Sequence, residues 1–274
     1  MPIVAITREM GSLGKDVARG LGEALGVPVI YHELIDQLAD RMRVRKSHVI
    51  RLLDGSAGLL ERLTADKTSL AIFTADEIYS VAGRERGAVI RGWGATHLLR
   101  GVPHAVCVRV CAPFELRKRR MMERLATDDQ AGVAEEIRAN DEAHTAIMRR
   151  HFDLRWTEPE HYDLVLNTER VSAEECVSEI LNLVRAPQFV ETEASRGTLE
   201  DLALAARVRS ALRRSPETRD AGVAVSSRSG RVTLSGASST DQMLAFVEVA
   251  AAVPGVRDVA YRTRPGHEVR PRFH

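Results

Sequence analysis

The sequence predicts an α/β protein built as two unequal units: a parallel sheet with helices on both faces, then a small α+β domain. Three observations predict it. A short apolar strand, Pro2-Ile3-Val4-Ala5-Ile6-Thr7, leads through a glycine-bearing turn into an amphipathic helix. Strand-like and helix-like segments then alternate to about residue 185, the pattern of a parallel sheet with helical crossovers. Beyond an unpatterned stretch at 186–197 the order becomes α-β-β-α-β. A chain of 274 residues is long enough for both units.

In order, a first helix carries Val17, Ala18, Leu21, Ala24 and Leu25 on one face and stops at Gly26. Val27 to Tyr31 reads as a second strand. Helical spacing follows from about Glu33 to Leu53, then a turn at Asp54-Gly55-Ser56 and a helix from Thr68 to about Arg84. Ala88-Val89-Ile90 makes a third strand, ending in Gly92-Trp93-Gly94, and His104 to Cys111 a fourth. Helices are expected over Pro113–Leu125 and Val133–Arg150, a strand over Tyr162–Asn167 and a closing helix over Ala173–Val184. In the second unit the helices are Thr198–Arg214 and Ser239–Val253. The strands are Val223–Val225, Val232–Gly236 and Val256–Thr263. Residues 265–274 read as a disordered tail.

Composition excludes several classes. A hydrophobic content of 44% is that of a protein with a packed core, and a net charge of +1 gives no push towards nucleic acid. No apolar run nears the ~20 residues that span a bilayer. The N-terminus enters a strand directly and contains an acidic residue, so no signal peptide is expected. The three cysteines lack metal spacing. Cys107 and Cys111 share a strand face and read as buried free thiols, which points to the cytoplasm.

The first turn carries the chemistry. Gly11, Ser12, Leu13 and Gly14 offer backbone N–H groups, the helix start adds partial positive charge, and Lys15 neutralises outer phosphates, as in a P-loop. The strict G-x-x-x-x-G-K-[ST] motif is not met: Glu9 stands at the first glycine and Asp16 at the hydroxyl position. From this segment alone, a plain strand-to-helix turn with a solvated lysine is an equal reading.

The stretch Thr7-Arg8-Glu9-Met10-Gly11-Ser12-Leu13-Gly14-Lys15-Asp16-Val17-Ala18 resembles the opening of the cytidylate kinase-like family, whose strand ends in S/T-R-E before a G-S-x-G-[RK]-[ED]-[IV]-A turn. Tyr31-His32-Glu33-Leu34-Ile35 resembles that family's Y-D-x-x-L-I segment, and Ala112-Pro113-Phe114-Glu115-Leu116-Arg117 its A-P-x-E-x-R lid helix. Tyr162-Asp163-Leu164-Val165-Leu166-Asn167-Thr168 matches its Y-D-L-V-L-N-T strand. The resemblance covers about residues 1–185. It implies ATP-dependent phosphoryl transfer to a nucleoside monophosphate, which rests on positioning and positive charge. Lys15 is then the β/γ-phosphate ligand, and Gly11, Ser12, Leu13, Gly14 and Asp16 complete the ATP site. Asp16 or the Ser12 hydroxyl holds Mg2+. Arg117, Arg120 and Arg124 share a helix face and close on the triphosphate, with Asp141 orienting them.

Three departures bear on the acceptor. The family's G-R-[GC]-A reads Gly92-Trp93-Gly94-Ala95, so Trp93 replaces an arginine expected on the acceptor phosphate. His32 replaces an aspartate, and Asp141-Glu142-Ala143-His144 lacks the arginine of D-x-x-R. Arg91 is near in sequence, but strand alternation is expected to point it elsewhere. Loss of such contacts weakens transition-state stabilisation, so the acceptor stays open.

Gly230-Arg231-Val232-Thr233-Leu234-Ser235-Gly236 and Val253-Pro254-Gly255-Val256-Arg257-Asp258-Val259 resemble the G-x-V-x-L-x-G and V-x-G-V-x-x-V stretches of BON domains. That resemblance implies a phospholipid surface or a protein as partner, and the basic bias of this unit suits anionic lipid. The linker shows no pattern that joins the units, so each is expected to fold alone. Two functions follow: a cytoplasmic, peripherally tethered nucleotide kinase, or a nucleotide-binding sensor that reports through its BON domain.

Overall fold

The computed structural model describes residues 1–42, 44–47, 49, 67–84, 86–92, 94–220, 222–236, 239–264 and 267–269. In chain order the first unit runs β1 (Ile3–Arg8), α1 (Gly14–Leu25), β2 (Val29–Ile30), α2 (His32–Met42), α3 (Lys67–Ala82), β3 (Ala88–Arg91) and α4 (Ala95–Leu99). It continues with β4 (Ala105–Cys111), α5 (Phe114–Leu125), α6 (Gln130–Phe152), β5 (Leu164–Asn167) and α7 (Ala173–Val184). The strands form a parallel sheet in the order β2-β3-β1-β4-β5.

Strand β1 is apolar from Ile3 to Ile6 because both faces of the sheet are covered there. Val4 and Ile6 pack with Val17, Ala18 and Leu21 of α1 and with Cys176 and Ile180 of α7. Ile3 and Ala5 point the other way, onto Ile78 and Val81 of α3 and Leu99 of α4. The expected elements recur within a few residues, and α4 is an addition. Of the helix expected to Leu53, α2 is seen to Met42; its continuation beyond residue 49 and the turn at 54–56 lie outside the described residues. The cysteines are free thiols. Cys107 is fully buried, its thiol donating to the Thr96 carbonyl at 3.2 Å, and burial pushes its pKa up to about 12.

The second unit comprises α8 (Glu193–Arg214), β6 (Ala224–Arg228), β7 (Arg231–Ser235), α9 (Thr240–Ala251), β8 (Asp258–Arg264) and β9 (His267–Val269). β6 and β7 form a hairpin, β7 pairs parallel with β8, and β9 adds antiparallel to β8. The core contains Val208, Leu212, Val232, Leu234, Phe246 and Tyr261.

Three expectations change. Residues 267–269 of the expected tail are a strand, held by backbone bonds to β8. Helix α8 starts at Glu193 rather than Thr198, because Thr192 and Ser195 form a reciprocal capping box that sequence periodicity does not display. Nor do the units stand apart. Leu199, Leu202, Ala203 and Ala206 of α8 pack into the core with Tyr79 of α3, while Leu204, Ala205, Val208 and Leu212 enter the second core. Both sets recur at helical spacing, so α8 has two buried stripes. Arg213 Nε donates to Ser69 Oγ of α3 at 2.7 Å. Arg41 of α2 binds Asp76 and Glu77 of α3 and reaches Ser210 Oγ of α8 at 3.4 Å. Among the described residues no helix is long and apolar enough to cross a membrane.

Candidate active site

The turn after β1 is held open by its own bonding. Gly11 has φ +81° and Leu13 φ +61°, both left-handed, which turns successive amides to one side. The Ser12 amide is occupied by the Glu9 carbonyl at 3.2 Å. The amides of Gly11, Leu13, Gly14 and Lys15 make no backbone hydrogen bond among the described residues. They lie at the N-terminus of α1, where the helix dipole favours an anion. Lys15 is exposed in the first turn of that helix and has no ion-pair or hydrogen-bond partner among the described residues. Gly11 is required twice over: a Cβ there meets the Arg117 carbonyl at 2.7 Å.

The Ser12 hydroxyl does not point outward. It is fully buried, 2.8 Å from the Glu9 carbonyl and 3.0 Å from that of Val110, and forms part of the loop floor. The expectation that it ligates a metal is therefore not met. Asp16 is exposed and lies 3.5 Å from Arg19. No group of three or more metal-ligating side chains occurs among the described residues.

The basic helix differs from expectation as well. Arg117 is buried: its Nη2 and Nη1 reach the two Asp141 oxygens at 2.9 and 3.3 Å, and its Nε donates to the Ala112 carbonyl at 3.2 Å. Arg120 holds Thr168 through Oγ1 at 2.9 Å and the carbonyl at 2.7 Å, and Thr168 Oγ1 donates to the Ser12 carbonyl at 2.9 Å. Two of the three arginines thus fasten α5 to the loop, and only Arg124 is exposed with no partner among the described residues. Asp141 is the acid on α6 that pairs with Arg117. Sequence reasoning passed over Glu9 as a missing glycine. Its carboxylate accepts from Arg109 at 2.7 Å and from the Ala112 amide at 3.1 Å and lies 3.5 Å from Arg117. The β1–β4 register, which the sequence does not display, sets Arg109 opposite Thr7 and so beside the acid.

At the other flank, His32 opens α2; its side chain and Trp93 lie outside the described residues. Arg91 is 6% exposed, its guanidinium 4.0 Å over the Tyr31 ring. Burial lowers its pKa, and the charge of Arg8 lowers it further. The His144 ring packs tilted against that of Trp156, centroids 4.3 Å apart, with Nε2 sealed and unpaired. Burial, then Arg8 and Arg109, lowers its pKa to about 4, so the imidazole is neutral near pH 7. The Tyr162 hydroxyl donates to the Trp156 carbonyl at 2.6 Å and closes this wall.

A solved structure of an uncharacterized protein from Eubacterium ventriosum is similar over 68% of this chain and 99% of its own, at 21% identity and TM-score 0.52; it shows the fold alone. Shikimate kinase from Acinetobacter baumannii in complex with shikimate covers 67% of this chain and 93% of its own, at 16% identity and TM-score 0.41. Shikimate kinase from Bacteroides thetaiotaomicron covers 68% and 99%, at 17% identity and TM-score 0.40. No curated protein matches the chain. The BON domain model matches residues 200–264, and the cytidylate kinase-like family model matches residues 3–170. With most of its length matched and a phosphate-type turn on a parallel sheet, the chain belongs to the cytidylate kinase-like family and carries a C-terminal BON domain.

Proposed function

We propose that residues 1–185 are an ATP-dependent kinase for a nucleoside monophosphate and that residues 198–264 tether it, through the BON domain, to an anionic phospholipid surface or a protein in the cytoplasm. The observation that carries the reading is the ring of unoccupied amides at Gly11, Leu13, Gly14 and Lys15, set at a helix start beside an exposed lysine. These groups bind the β- and γ-phosphates. Gly11 lets the loop pass against Arg117, and the Arg117–Asp141–Glu9 cluster fixes the loop's outer wall. Arg124, exposed on α5, is the lid cation left to meet charge developing on the transferred group. Asp16 is the carboxylate that suits a magnesium ion carried mainly by phosphate oxygens and water. That ion supplies charge neutralisation.

The test is calorimetry with ATP·Mg2+ and the full chain. Lys15→Ala is expected to weaken ATP binding by at least about tenfold, because a charge-assisted phosphate contact is lost while an exposed site keeps its fold. Equal affinity for parent and variant removes the reading. A coupled assay with CMP, UMP, AMP and GMP then separates the enzyme from the second reading, a non-catalytic nucleotide sensor. That reading is supported by Arg117 and Arg120, which are committed to internal partners. ATP binding without turnover of any acceptor favours the sensor. Sedimentation with anionic vesicles, weakened by salt, tests the lipid partner.

A further inference from the structure

Two amides of the turn, those of Gly11 and Leu13, belong to left-handed residues ahead of α1 rather than to the helix. In a trans peptide the N–H points opposite to the carbonyl of the residue before it, so whatever holds the carbonyl aims the N–H. The Ser12 carbonyl shares its plane with the Leu13 N–H and accepts from Thr168 Oγ1 at 2.9 Å. Thr168 follows β5 and is 2% exposed. Its hydroxyl has one proton and three neighbours. Arg120 Nη1 can only donate, and takes an oxygen lone pair at 2.9 Å. The Cys111 carbonyl is 3.4 Å away and already accepts the Thr168 amide at 2.9 Å. The proton therefore goes to Ser12. Arg120 Nη2 grips the Thr168 carbonyl at 2.7 Å, so the donor itself is held by α5. The amide and hydroxyl of Ser12 are spent on the Glu9 and Val110 carbonyls. Gly11 is treated alike: Arg117 Nη1 donates to the Met10 carbonyl at 3.3 Å, which aims the Gly11 N–H the other way.

Leu13 shows why the plane needs holding. A φ of +61° is costly for leucine and persists only where the surroundings impose it. A half-turn of the Ser12–Leu13 plane returns Leu13 to an ordinary negative φ. The same half-turn swings the Leu13 N–H away from the amide ring and brings the Ser12 carbonyl oxygen round in its place. A donor for the anion is then exchanged for a partial negative charge. The hydrogen bond from Thr168 opposes that exchange.

We propose that Thr168, gripped by Arg120, is a positioning residue for triphosphate binding: it touches no phosphate, but through the Ser12 carbonyl it keeps the Leu13 N–H turned into the amide ring. Helix α5 thereby sets the affinity of the loop from behind. This rests on the phosphate site read above at Lys15 and the amide ring. The test uses the full chain labelled with 15N-leucine, its Leu13 amide resonance identified by its loss in Leu13→Met, and titrated with inorganic tripolyphosphate and with ATP·Mg2+. Thr168→Val keeps the shape and removes the proton. It is expected to weaken both ligands by at least about tenfold and to move the Leu13 resonance before any ligand is added. Thr168→Ser keeps the proton and is expected to bind both within about twofold of the parent. Unchanged tripolyphosphate affinity in Thr168→Val overturns the proposal, and so does an equal loss in Thr168→Ser. Should Thr168→Val fail to fold, Arg120→Met, which leaves the hydroxyl in place, gives the same reading. Weaker tripolyphosphate binding with a shifted ligand-free Leu13 resonance supports positioning. Weaker binding with that resonance unmoved puts Arg120 on the phosphate itself and overturns the proposal, as does unchanged binding. Lys15→Ala with unaltered affinity for both ligands overturns the phosphate-site reading instead. A loss in Lys15→Ala beside none in Thr168→Val overturns the positioning role alone.

Discussion

At the scale of single residues, the site depends on small groups more than on its charges. Gly11→Ala forces a side chain onto a backbone at φ +81° and against the Arg117 carbonyl at 2.7 Å. A cost of about 2 kcal/mol or more is expected, with ATP affinity falling in parallel; thermal melts and calorimetry check both. His144 gives a pH signature. Its pKa falls from 6.5 to about 4 on folding, so the unfolded chain binds the extra proton between those values. Stability therefore rises with pH across that window: the contribution is full above about 6.5 and lost as pH falls towards 4. Unfolding free energies from urea titration at pH 7 and pH 5 are expected to differ by up to about 2 kcal/mol from this group, and His144→Gln flattens the difference. An equal slope in the variant assigns the pH dependence elsewhere.

At the scale of elements, α5 and α6 act as one piece with the loop. The fork between Arg117 and Asp141 joins the two helices, and Glu9 ties them to β1. Asp141→Asn leaves a buried guanidinium short of one acid. Asp141 is partly exposed and Glu9 remains, so a loss of about 2 kcal/mol is expected, below the range for a fully buried pair; denaturant titration measures it. The helices and strands here were legible from period and punctuation: Gly26 ending α1, the apolar run of β1, the stripe in α7. The position of Lys15 at the start of α1 was legible from the strand–turn–helix pattern. What was not legible depends on partners distant in sequence. Arg117 and Arg120 looked like a solvent-facing lid because nothing local shows Asp141, Thr168 and Glu9 closing around them. Ser12 looked like a metal ligand because its burial under Val110 is set by β4, a hundred residues away.

At the scale of the whole molecule, α8 makes the two units share their stability. Leu199 is 2% exposed within the first core although it belongs to the helix that opens the second unit. Leu199→Ala is expected to cost about 3 kcal/mol and to lower the unfolding of both units together. Both tryptophans, Trp93 and Trp156, lie in the first unit, so their fluorescence reports it alone, while far-ultraviolet dichroism reports the entire chain. Coincident transitions are expected; an earlier dichroism step that fluorescence does not see shows that the BON domain unfolds by itself. The same helix touches α3, and through Arg41 its neighbour α2. If a ligand on the BON sheet shifts α8, the first unit's affinity for its own ligand is expected to change, and thermodynamic reciprocity then requires a change by the same factor in return. On the proposed function, attachment at one end of the molecule would then gauge the supply of substrate at the other.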